Sequence, residues 1–217
     1  MRLHGAWLKR VATILIEATE IEFWRQDRCV LDRLSVQFSA SEAVHVMGAN
    51  GVGKTTLMRV LAGFLWPEYG TLRYRGVPYD ASLPTLRREL FFLGHSHGLS
   101  ADLTAFENLQ HWSNLQGGAA PGELEQALVD AGVAECRDRA VRALSAGQKR
   151  RVSLARLCLA HALPVWILDE PWTNLDSDGM AWVLSLIDRR IESGGTVIFS
   201  AHAQLTFEPR GYRALAL

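Results

Sequence analysis

Cysteine is scarce in this chain, at three in 217 residues. Cys29, Cys136 and Cys158 show neither a disulfide framework nor metal-ligand spacing, which argues against small disulfide scaffolds and zinc modules. No C-x-x-C-H run occurs, so the chain is not itself a c-type cytochrome. No apolar stretch approaches the roughly 18 residues that span a bilayer. Neither sign of charge is in excess: Lys plus Arg and Asp plus Glu each number 23. A general affinity for nucleic acid is therefore not expected. Internal repeats, low-complexity tracts and long heptad runs are missing as well. The first ten residues are charged and lack a sustained apolar segment, so they do not read as a signal peptide. Residues 1–13 read as an N-terminal extension. Residues 14–217 suffice for one domain with a large core.

What is there begins with Gly48-Ala49-Asn50-Gly51-Val52-Gly53-Lys54-Thr55-Thr56, a match to G-x-x-x-x-G-K-[ST]. A short strand pattern leads into it and a helical pattern from Thr56 leads out. The glycines let successive backbone N–H groups turn inward onto phosphate oxygens. The helix N-terminus adds free donors and partial positive charge. Lys54 is the candidate for the β- and γ-phosphates, and the Thr55 hydroxyl is a candidate Mg²⁺ ligand.

A second constellation follows more than a hundred residues later. Leu163-Pro164-Val165-Trp166-Ile167-Leu168 is apolar almost throughout, as a parallel strand buried on both faces would be. It ends in Asp169-Glu170, where ligands of open α/β sheets bind. Asp169 is the candidate metal carboxylate, and Glu170 is placed to activate water. The third constellation is Leu144-Ser145-Ala146-Gly147-Gln148, ahead of the helical pattern that starts Lys149-Arg150-Arg151-Val152. Ser145 and Gly147 thus lie at a second helix N-terminus fit for phosphate. One ATP does not need two cradles from one chain. Each cradle serving a different nucleotide, in a sandwich of two chains, resolves the duplication.

These residues resemble the ATP-binding cassette (ABC) family. LSAGQ is similar to its LSGGQ signature, with Ala146 for the first glycine. Asn174-Leu175-Asp176 resembles the D-loop, and His202, past the strand Thr196–Ser200, resembles the switch histidine. The resemblance implies an α/β P-loop NTPase (RecA-like) core, with an antiparallel β subdomain and a helical subdomain at about 95–150. It implies ATP and Mg²⁺ as cofactors, with Ser145, Gly147, Gln148 and Asp176 acting on nucleotide. Lys54, Glu170 and His202 are then the candidate catalytic residues. One station departs: His95 stands where most members carry glutamine. Imidazole is a poor Mg²⁺ ligand beside oxygen donors, so a gating contact is expected of it.

Leu93-Gly94-His95, LSAGQ with Arg150-Arg151-Val152, and Trp166 through Thr173 are together similar to the cytochrome c biogenesis ATP-binding export proteins, described as heme-exporter ATPases. That likeness implies a homodimer of ATPase subunits on separate multi-span permease chains, with a heme chaperone as an indirect partner. It places the chain peripherally, on the cytoplasmic face of the inner membrane. The alternatives are the ATPase subunit of another small ABC exporter and, behind it, a soluble cassette ATPase acting on nucleic acid or ribosomes. One P-loop, one signature and no coiled coil weigh against the latter, and the signature helix has no role in a small-molecule kinase.

The spacing predicts strands near 14–22, 34–38, 43–47, 71–75, 90–94, 164–169 and 195–200. It predicts helices near 55–64, 104–115, 122–131, 148–161 and 178–193. Cys158 reads as core. Phe23-Trp24 reads either as core or as a stack for adenine. His95 and His97 as heme ligands are the less economical reading, because the loop already has a family counterpart.

Overall fold

The computed structural model describes residues 13–201 and 208–217. An antiparallel sheet is built from β1 (Ile14–Arg25), β2 (Arg28–Ser39), β4 (Tyr69–Tyr74) and β5 (Val77–Pro78) in the order β2-β1-β4-β5. A parallel sheet is built from β3 (Ala43–Met47), β6 (Leu90–Leu93), β7 (Val165–Leu168), β8 (Thr196–Ser200) and β9 (Tyr212–Ala216) in the order β6-β7-β8-β3-β9.

Strands β3, β6, β7 and β8 are buried on both faces, as their apolar runs require, whereas the edge strand β9 is partly exposed. On β7, Val165 and Ile167 join the core shared with the antiparallel sheet. Trp166 and Leu168 point the other way, into the core under α5 (Ala146–Leu159) and α6 (Ser177–Glu192). The first core also takes up α1 (Lys54–Leu61) and α2 (Tyr79–Glu89). A third core forms where α3 (Ala105–Leu115), α4 (Pro121–Asp130) and α5 pack on one another. Thr104 starts α3 with a reciprocal cap: its hydroxyl accepts from the Glu107 N–H, and the Glu107 carboxylate accepts from the Thr104 N–H.

Several elements differ from the sequence expectation, the two-residue strand β5 among them. Helix α2 was not expected, and Pro84 inside it explains why. Proline removes only one ladder bond, to Asp80, and buried Tyr79, Ser82 and Leu86 hold the helix at helical spacing. Strand β9 was likewise not assigned; it pairs along the outer edge of β3. The first hairpin is longer than 14–22 and 34–38, because β1 and β2 continue to a two-residue turn at Gln26-Asp27. Its tip is exposed and carries no apolar alternation to read. The proposed extension at 1–13 lies outside the described residues except for Thr13.

Candidate nucleotide site

Sheet order positions the site. The P-loop follows β3, and Asp169-Glu170 follow β7. Strand β8 lies between them and ends at Ser200. Motifs more than a hundred residues apart therefore meet at one carboxyl edge. The Thr55 hydroxyl donates to Asp169 Oδ2 at 2.8 Å. The Ser200 hydroxyl donates to Asp169 Oδ1 at 2.7 Å and accepts from the Glu170 N–H at 3.0 Å. Asp169 is only 2% exposed, and these hydroxyls satisfy both its oxygens.

The loop itself needs glycine. Gly53 has φ 126°, and a Cβ there would lie 2.9 Å from Val30 Cγ1 and 3.0 Å from the Val30 carbonyl. No side chain caps α1, so its first-turn N–H groups face the cleft. The Lys54 ammonium donates to the carbonyls of Gly48 and Ala49 at 2.7 and 3.1 Å, closing the loop on itself. A cleft of about 530 Å³ lies over this arrangement, walled by Arg25, Arg28, Asn50, Lys54, Thr55 and Glu170 among others. The neighbouring Thr55 hydroxyl and Asp169 carboxylate are hard oxygen donors of the kind Mg²⁺ takes.

The signature residues line a different cleft. Ser145 caps α5: its Oγ accepts from the Gln148 N–H at 3.2 Å, and Gln148 Oε1 accepts from the Ser145 N–H at 3.0 Å. Ser145, Gly147, Gln148, Arg151, Asn174 and Asp176 share this second cleft, which has no lining residue in common with the first. Asp176 caps α6 through the Gly179 N–H and pairs with Arg151. The Gly179 N–H, and next the Arg151 guanidinium, hold its carboxyl below the usual range.

Between the two lies a smaller cleft lined by His95, His97, Arg150, Glu170, Thr173 and Asn174. His95 is exposed, with Nδ1 3.8 Å from Glu170 Oε2. It thus faces the acid that sequence reading makes the base. His202 lies outside the described residues.

Sequence reading missed several neighbours of the site. Phe23 packs against the first core, and Trp24 does not line the P-loop cleft; Arg25, Gln26 and Arg28 do. Arg28 also donates to the Gly51 carbonyl at 3.3 Å. Ser200 ends a strand whose place beside β7 sequence spacing does not disclose. In the sequence Arg150 belongs to a charged helix start, yet it is 2% exposed. Its spacing of four and seven from core Leu154 and Leu157 was the available signal. Cys158 is half-buried, and burial pushes its thiol up to about 11.

The ABC transporter family matches residues 31–173. A Vibrio vulnificus protein named cytochrome c biogenesis ATP-binding export protein CcmA is 35% identical over 204 residues, covering 94% of this chain and 99% of that protein. A Pseudomonas aeruginosa protein of the same name is 40% identical over 195 residues, covering 89% and 96%. Among solved structures, a dimeric ATP-binding cassette in a post-hydrolysis state with ADP and phosphate superposes with a TM-score of 0.77 at 23% identity, over 87% of this chain and 88% of that one. The fold, the phosphate loop with its facing carboxylates, and these likenesses agree: the chain belongs to the ABC transporter family of ATPases, within the group of cytochrome c biogenesis ATP-binding export proteins.

Proposed function

We propose that this chain is the ATP-hydrolysing subunit of a membrane complex that serves cytochrome c maturation, by heme delivery or by release of a heme-loaded chaperone. It works as a head-to-tail pair of identical subunits. The observation that carries the pairing is the separation of the two clefts. The first holds a phosphate loop and two carboxylates, and the second offers a helix N-terminus with no metal corner. Each is half of a site, and a two-fold axis completes both. The superposable cassette solved as a dimer supports this reading.

In the pair, Gly48 through Thr56 bind the phosphates of one ATP. Lys54 leaves the carbonyls of Gly48 and Ala49 for the β- and γ-phosphates. Thr55 and Asp169 would hold Mg²⁺, which when bound neutralises phosphate charge. Glu170 takes a proton from the attacking water. Ser145 and Gly147 of the other subunit close over the γ-phosphate, with Gln148 and Asp176 at the same border and His202 as a further γ-phosphate contact. Among the described residues no helix is long and apolar enough to cross a membrane. In this reading separate permease chains supply the path, and this subunit sits on their cytoplasmic side at the inner membrane.

The test is Glu170→Gln in the assembled complex. It should bind ATP, stop hydrolysis and accumulate as a closed pair holding two nucleotides. Ser145→Arg added to it should prevent closure while each subunit still binds ATP. A Glu170→Gln pair that never closes on ATP would contradict the mechanism. Deleting the gene should remove c-type cytochromes and spare b-type ones; normal c-type cytochromes without a second copy of the gene would leave only the general ATPase.

A further inference from the structure

We propose that Arg150 is a positioning residue for hydrolysis, its buried guanidinium fixing the backbone of Glu170 so that the carboxylate faces the P-loop cleft. The inference rests on the reading of Glu170 as the base that activates water.

Glu170 has φ 53°, in the left-handed region that residues with a β-carbon avoid. Such a conformation persists only where the surroundings over-determine it. Here they do so from both sides. The Glu170 N–H is held by Ser200 Oγ at 3.0 Å. The Glu170 carbonyl is held by Arg150 Nη2 at 2.5 Å. The same nitrogen reaches the Asp169 carbonyl at 3.2 Å, and Arg150 Nε reaches the Pro171 carbonyl at 3.2 Å. One side chain thus binds three consecutive carbonyls at the end of β7. With those carbonyls drawn toward α5, Glu170 lines the cleft together with Lys54 and Thr55, its Oε2 3.8 Å from His95 Nδ1.

The chemistry asks for arginine. A planar fork of fixed geometry can span three carbonyls, whereas an ammonium is a compact point charge and a glutamine amide offers one nitrogen. Burial pulls the guanidinium down to about 10, so it is still protonated at neutral pH. Arg150 also lies on the helix that Ser145 caps. The element presenting the second phosphate cradle is therefore tied directly to its own chain's Glu170.

Arg150→Gln and Arg150→Lys, made in the assembled complex, test this. For Arg150→Gln the ATP dissociation constant should stay within about twofold, while kcat falls by about 100-fold, the size of a misplacement of about 1 Å. Arg150→Lys should fall less. Arg150→Gln combined with Glu170→Gln should be no slower than Glu170→Gln alone, since both act through one carboxylate. A near-normal kcat, or losses that multiply in the double variant, would overturn the proposal. If Arg150→Gln does not fold, Arg150→Lys carries the same comparisons. Glu170→Gln alone separates the two claims. Wild-type hydrolysis in that variant defeats the reading of Glu170; its loss beside an unimpaired Arg150→Gln defeats only the role of Arg150.

Discussion

Arg156 offers the sharpest stability prediction, because its contacts can be counted one by one. It lies on α5 and is 7% exposed. Its Nη2 donates to the His97 carbonyl at 2.6 Å and to Ser153 Oγ at 2.7 Å, Nε donates to the Ser153 carbonyl at 2.9 Å, and Nη1 donates to the Gly98 carbonyl at 3.4 Å. The guanidinium stands over the Phe91 ring at 5.9 Å from its centroid. Burial, and next the nearby Arg150, pull it down to about 10, so it is charged at pH 7. Arg156→Met keeps the stem and removes the donors. The His97 carbonyl retains the Ser153 hydroxyl, which donates to it at 2.7 Å. Hydrogen bonds to charged groups contribute about 1.5–3 kcal/mol each. Release of a desolvated charge offsets part of that, leaving a loss of about 2–4 kcal/mol. At this chain length each kcal/mol is worth roughly 2–4 °C. The Tm should fall by about 4–16 °C. The loss should also be local: amide exchange at residues 95–99 should speed up about tenfold or more, since 1.4 kcal/mol is a factor of ten. A Tm within about 2 °C of wild type, or destabilisation that leaves exchange at 95–99 unchanged, would refute the reasoning.

Further outcomes follow from the same geometry. Lys54→Ala and Asp169→Asn should each lower ATP hydrolysis in the assembled complex by about 10²–10³, with circular dichroism preserved; near-normal turnover would contradict the roles given to them. Gly53→Ala brings a Cβ within 2.9 Å of Val30 Cγ1 at a φ of 126°. It should weaken binding of a fluorescent ATP analogue by at least about tenfold, since one lost phosphate contact is worth 1.4 kcal/mol or more, and unchanged affinity would count against the cradle. Burial lowers the pKa of His45 and of His97, with Lys54 adding to it for the first and Arg150 for the second. The unfolded chain then binds more protons as pH falls below the ordinary histidine value of about 6.5, so stability present above that pH is lost beneath it. The urea midpoint should drop between pH 7.5 and 5.5, and His45→Phe should reduce the drop; a flat profile would show that other groups govern it.

How much of this was legible in the sequence depended on the distance over which each feature is specified. The P-loop is a local device: its glycines, its strand and its helix N-terminus all lie within a dozen residues, and they read directly. Strand β7 read directly too, because burial on both faces leaves an unbroken apolar run. Helix α2 failed on a single proline, which local rules weight heavily and which Tyr79 and Leu86 override through tertiary packing. Strand β9 is an edge strand with alternating partial exposure, so neither continuous apolarity nor strong alternation marks it. The deeper misses were of another kind. Ser200 matters only because β8 falls between β3 and β7, and strand order is written in no local pattern. Arg150 matters only because α5 packs over the end of β7, which turns part of a basic run inward onto backbone carbonyls. Both residues serve the same pair, Asp169 and Glu170, that the sequence did disclose. The motif named the groups to which the proposal gives the chemistry, and the fold supplied the neutral hydroxyl and the buried cation that hold them. Reading a phosphate site from sequence alone therefore finds its charged groups before the hydrogen bonds that aim them, because charge is a property of a residue and aim is a property of the packing.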